Sequence, residues 1–165
     1  MKIFFYALTI FTFLSTTTAQ TTNRNDLCKK ESNELWRELA DNGKYQEAIK
    51  ILLDTIQTSK QKNKNVTYWH IGQLYAFNNE YTSAIEYMKK STSFLDKVFD
   101  REWRLYYNGT IAFLKKDKKK LKNYNDKLWK KHSDYYYFNA CKLKALYENF
   151  DKPYKLAYDV SCKSY

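Results

Sequence analysis

Glycine and proline are scarce in this chain: three and one in 165 residues. A β-sandwich uses both at its many corners, so their scarcity argues against one. Long stretches free of breakers favour helices instead. Cysteine is also rare, with Cys28, Cys141 and Cys162 making three. No two of them lie two to four positions apart, the spacing that zinc sites use. An odd number allows at most one intramolecular bridge and leaves a thiol over. The two histidines, His70 and His132, have no cysteine or carboxylate at a motif spacing. His132-Ser133-Asp134 are chain neighbours and do not close into a triad by themselves. There is no glycine-rich phosphate loop and no His-Glu-x-x-His. No catalytic residue, metal site or cofactor is therefore expected, and the chain does not read as an enzyme.

Beyond residue 14 no run is apolar enough to cross a membrane. Before it, Lys2 precedes an apolar run from Ile3 to Leu14, broken only by Thr9 and Thr12, and Thr17-Thr18-Ala19 follows. This is the pattern of a cleaved secretory signal over residues 1–19, too short in its apolar part to span a bilayer. The competing reading is a buried N-terminal helix. Residues 20–27 are polar and read as a flexible lead-in, and residues 28–165 as one helical domain. The mature chain is expected to be secreted or periplasmic, with no transmembrane segment. A chain of this size buries roughly two-thirds of its unfolded surface in one domain.

What is abundant is positive charge, and it is local. The chain carries +11, and Lys115 to Lys131 holds nine Lys against two Asp, or +7. Lys115, Lys116, Lys118, Lys119, Lys120 and Lys122 head this basic patch. Such a face attracts anionic partners. No basic-aromatic stacking motif accompanies it, and an exported chain seldom meets nucleic acid. An acidic protein or envelope polymer is the expected partner for it, and a solvated helix face that aids solubility is the alternative. Asn65-Val66-Thr67 and Asn108-Gly109-Thr110 match the glycosylation acceptor pattern.

The most informative stretch runs from Tyr68 to Ser91. Ile71, Leu74 and Tyr75 recur at helical spacing, Asn78-Asn79-Glu80 interrupts, and Tyr81, Ala84, Ile85 and Met88 restart the pattern. Elsewhere the apolar positions predict a first helix from near Asp26 with Leu35, Trp36 and Leu39, stopped at Asp41-Asn42-Gly43. Tyr45, Ala48, Ile49, Leu52, Leu53 and Ile56 give a second. Phe94 to Phe99 extend or follow the fourth. A fifth runs from about Asp100 to Lys115, and a sixth carries Leu121, Tyr124, Leu128 and Trp129. Asp134 caps a seventh, and an eighth spans Tyr154 to about Cys162.

With Tyr68, Ile71-Gly72, Tyr75, Tyr81 and Ala84 in this order, the chain resembles a tetratricopeptide repeat. Ala48, Ala84, Leu121 and Ala157 fall in one phase, 36, 37 and 36 residues apart. The third unit departs from the pattern, with Leu121 for a small residue and Asn108 for an aliphatic one. The resemblance implies an all-α, tetratricopeptide-like superhelix of about four antiparallel helix hairpins. It also implies a protein-protein interaction module whose first helices line a concave groove for a protein or peptide segment. Carried over position by position, that groove is Asn33, Arg37, Trp69, Gln73, Phe77, Tyr106, Thr110 and Lys142, with Phe113 and Leu146 favoured as packing residues. For Trp69 and Phe77, packing between repeats and partner contact stand level. An alternative role is a structural subunit of an envelope assembly that touches acidic partners through its basic face.

Cys141 and Cys162 stand ten residues before and after the turn at Asp151-Lys152. In an antiparallel hairpin they share a height, within reach of the roughly 5.5 Å Cα separation of a disulfide. A bridge between them is expected, and two buried unbonded thiols are the alternative. Cys28 lies at the far end of the domain.

Overall fold

A computed structural model describes residues 34–60, 64–92 and 100–162, and every regular element among them is helical. Residues 34–41 form α1. The others are α2 (Tyr45–Thr58), α3 (Asn65–Phe77), α4 (Tyr81–Lys90), α5 (Arg101–Leu114), α6 (Lys118–Lys130), α7 (Tyr137–Glu148) and α8 (Tyr154–Tyr158). A 3₁₀ turn, Asp134–Tyr136, leads into α7. The proposed signal segment, the lead-in, Asn33 and the stretch from Phe94 to Phe99 lie outside the described residues.

Three turns are built alike. After α1, the Gly43 N–H donates to the Ala40 carbonyl and the Lys44 N–H to the Leu39 carbonyl. After α3, Asn79 donates to Ala76 and Glu80 to Tyr75; after α5, Lys116 donates to Phe113 and Asp117 to Ala112. This is the Schellman pair of bonds, which satisfies helix-end carbonyls through one left-handed residue. The left-handed residues are Gly43, Asn79 and Lys116, with φ of 74°, 63° and 57°. Each turn then starts the next helix at once. Asp117 completes the third by accepting from the Lys120 N–H at 3.0 Å, and Asp100 caps α5 by accepting from Trp103 at 2.9 Å.

Small residues set how closely the helices approach. A Cβ added at Gly72 would stand 2.6 Å from Met88 Cγ and 3.0 Å from the Ala84 carbonyl oxygen, so α3 and α4 touch through backbone. Gly109, 37 positions on in sequence, does a different job: its missing Cβ leaves room for Leu143 of α7. The second helix of each hairpin packs onto the first helix of the next, α2 on α3, α4 on α5 and α6 on α7. The core falls into two clusters. Trp36, Ala48, Ile49, Leu52, Ile71 and Leu74 form one. The larger runs from Trp69 and Met88 through Phe113 and Leu143 to Tyr154 and Ala157.

The chain end departs from the sequence reading. The eighth helix stops at Tyr158, and residues 159–162 are irregular. Its backbone lies nearest α7 and α3.

Candidate partner-binding face

The helix α8 lies against the side of the molecule lined by α3, α5 and α7. Pro153 opens it, a residue suited to a helix start because it needs no N–H partner there. Tyr154 and Tyr158 are one helical turn apart and their rings stack, 5.4 Å between centroids. The Tyr154 ring meets Phe77 of α3 at 5.7 Å and Phe113 of α5 at 5.6 Å. Tyr158 meets Phe77 at 5.7 Å. The Tyr81 hydroxyl accepts from the Tyr154 N–H at 3.1 Å, holding the first residue of α8. At that end Lys116 Nζ sits over the Phe113 ring at 4.8 Å and within 5.5 Å of those of Tyr81 and Phe150, a set of cation–π contacts.

A polar chain runs across the middle of the face. His70 Nδ1 lies 3.3 Å from Gln73 Oε1, Gln73 Nε2 donates to the Tyr158 hydroxyl at 3.2 Å, and that hydroxyl lies 3.2 Å from the Tyr106 hydroxyl. Burial, the nearby Tyr158 and Tyr154, and the bond to Tyr158 hold the Tyr106 phenol well above its ordinary range. Burial lowers the His70 imidazole, which packs 5.0 Å from the Trp36 ring; the Gln73 bond opposes this and Arg37 adds to it. Lys142 Nζ donates to the carbonyls of Tyr158 and Val160 at 3.0 and 2.8 Å, so a cation satisfies the C-terminal carbonyls of α8. Partial burial lowers the Lys142 amine.

Of the groove residues taken from the resemblance, Gln73, Phe77, Tyr106 and Lys142 therefore converge on one segment, and it is the chain's own. Others need correction. Trp69 is 7% exposed and packs edge-on against Trp103 at 4.9 Å, with Tyr106 and Tyr107 beside it. Its indole is too large to lie on the rim once α3 and α5 close at that end, and it is core. Thr110 is fully buried, as are Phe113 and Leu146. Tyr106 is buried too, and its hydroxyl meets that of Tyr158. Arg37 is exposed and lies over the Trp36 ring at 4.4 Å, on the His70 side and with no recorded contact to α8.

The basic stretch is divided by its pairings. Lys120 pairs with Asp117 at 3.0 Å and Lys122 with Asp126 at 2.5 Å. Lys118 lies 4.0 Å from Asp151 and 5.4 Å from the Phe150 ring. Lys116 belongs to the aromatic end described above. Lys115 is exposed just past the end of α5, while Lys119, Lys127 and Lys130 are exposed along α6.

Cys141 of α7 and Cys162 of the tail are joined by a disulfide, 6.0 Å between Cα atoms. The bridge, with Lys142 beside it, fastens residues 159–162 to α7.

The residues that sequence reasoning missed are Tyr154 and Tyr158. Their spacing of one turn was visible, but Ala157 lay in phase with the second helices of the earlier hairpins and drew α8 into that role. Among the described residues no group of three or more His, Cys, Asp or Glu is placed to hold a metal ion, and no helix is long and apolar enough to cross a membrane. The chain matches no protein-family model, no curated protein and no solved structure.

Proposed function

We propose that this chain is an exported, tetratricopeptide-like helical module. It binds a helical protein segment on the face lined by α3, α5 and α7. Its role is binding rather than catalysis. The observation that carries the reading is the convergence of Phe77, Gln73, Tyr106, Phe113 and Lys142 on a five-residue helix. A face that seats one short helix has the features needed to seat another: an aromatic slot, a hydroxyl-binding Gln and a cation for the terminal carbonyls. The matching ligand carries two aromatic side chains one turn apart with a small residue between them, as in Tyr154, Ala157 and Tyr158. Three like turns 36 and 37 residues apart support the repeat reading of the hairpins.

The test uses the full chain with Tyr158→Ala, which weakens the resident helix. A labelled peptide of residues 150–162, carrying Cys162→Ser, is titrated onto it. Saturable binding that Phe77→Ala weakens at least tenfold is expected. No binding to the weakened chain overturns the reading.

A second reading rests on α6. Exposed Lys119, Lys127 and Lys130 have no acidic side chain within salt-bridge distance among the described residues. They would let the module sit as a subunit against an acidic envelope protein or polymer.

A further inference from the structure

We infer that α8 is a displaceable occupant of the α3–α5–α7 face, latched there by the Cys141–Cys162 disulfide, so that thiol–disulfide exchange opens the face to a partner segment. The inference rests on the binding reading above and adds its regulation.

Two features mark α8 as a detachable part of the core, to which Tyr154 and Ala157 contribute. First, α8 is five residues long. A helix so short does not persist alone in water and exists here because it is docked. Second, its docking is one-sided: Leu156 is 61% exposed, while Tyr154 and Ala157 are fully buried.

Against these stand the fastenings at the end of the chain. The disulfide closes a loop with a sequence separation of 21, so α8 remains beside its slot at high effective concentration. Lys142 holds the Tyr158 and Val160 carbonyls. Once the bridge opens, residues 159–162 keep one hydrogen bond to α7 among those described, from Lys142 to the Val160 carbonyl, and a partner segment competes with a tethered five-residue helix instead of a closed loop.

The chemistry is ordinary exchange with a dithiol reductant. One thiolate of the reductant attacks Cys162 Sγ, forming a mixed disulfide and releasing Cys141 as a thiolate, which takes up a proton. The reductant's second thiol then displaces Cys162. Two protein thiols and one oxidised dithiol result. Cys162 is half-buried on an irregular tail.

The test uses the full chain in three forms: oxidised, reduced with dithiothreitol, and Cys162→Ser. The probe is the same labelled peptide of residues 150–162. Reduced and Cys162→Ser chains are expected to bind it at least about tenfold more tightly than the oxidised chain, with helical circular dichroism preserved. Equal binding by oxidised and reduced chains overturns the latch while leaving the binding reading in place. Binding by none of them, nor by the Tyr158→Ala chain, overturns both. Wholesale loss of helix on reduction or in Cys162→Ser also overturns the latch, because α8 and its tail would then be needed to hold the core together.

Discussion

The Tyr158 hydroxyl stands 3.2 Å from the Tyr106 hydroxyl, across 52 residues of chain. One belongs to the terminal helix and the other to α5. That pairing makes the buried phenol of Tyr106 a reporter on α8. With α8 docked, Tyr106 and Tyr154 are both held well above the ordinary tyrosine range, chiefly by burial.

The glycines of α3 and α5 give a stability series. Gly72→Ala forces a Cβ against two backbone atoms at 3.0 Å, the Ala84 oxygen and the Met88 nitrogen, which have little room to yield. A net loss of about 1–3 kcal/mol is expected, in spite of a helix-propensity gain of up to about 1 kcal/mol. Gly109→Ala meets buried Leu143 and should also destabilise. Ala84→Leu, in the same contact, belongs with them. Urea unfolding measures all three; a Gly72→Ala chain as stable as the wild type contradicts the close α3–α4 approach.

Trp69→Ala should cost about 3–5 kcal/mol, the range for a buried large aromatic, because the indole fills the space between Trp103, Tyr106 and Tyr107. Thermal denaturation reads this directly. A weakened partner interaction with unchanged melting temperature would return Trp69 to the surface.

These two predictions show what the sequence made legible. Periodicity located the hairpins because Ala48, Ile71, Leu74, Ala84, Met88 and Leu121 are fully or nearly fully buried, and burial is what helical spacing reports. Turn positions were legible at Gly43 and Asn79, whose residue types suit left-handed backbone. The turn at Lys116-Asp117-Lys118 was legible as the break between the fifth and sixth helices, but its left-handed residue was not, since nothing in a lysine advertises φ of 57°. The face itself was half legible. Gln73, Phe77 and Lys142 lie on it, but which aromatic is rim and which is core depends on how far α3 and α5 splay, and spacing along one helix carries no such information. The route of α8 was hidden for the same reason: a five-residue helix packs wherever its aromatic pair finds a slot.

Acid should weaken the fold through His70. Burial holds its folded pKa below the ordinary 6.5. The unfolded chain then binds the proton more readily, so stability is full above pH 6.5 and falls as pH drops through the folded value. Melting temperatures at pH 7.5 and pH 5 should differ less in His70→Gln than in the wild type. An identical acid loss in both assigns the effect to other groups.

The basic stretch makes a separate prediction. Lys119→Glu, Lys127→Glu and Lys130→Glu together should move elution from a polyanion column to clearly lower salt. The same three changes at the paired positions, Lys118, Lys120 and Lys122, should have a smaller effect, because nearby Asp117, Asp126 and Asp151 already offset those charges. Equal effects from both sets contradict the division of the patch by its pairings.

The most direct measurement is amide hydrogen exchange of the full chain, oxidised and reduced, followed by mass spectrometry of peptides covering residues 154–158 and 101–114. The account predicts that reduction strips protection from 154–158 while 101–114 stays protected, as expected when an occupant leaves an intact face. Unchanged protection of 154–158, or simultaneous loss in both segments, would contradict it.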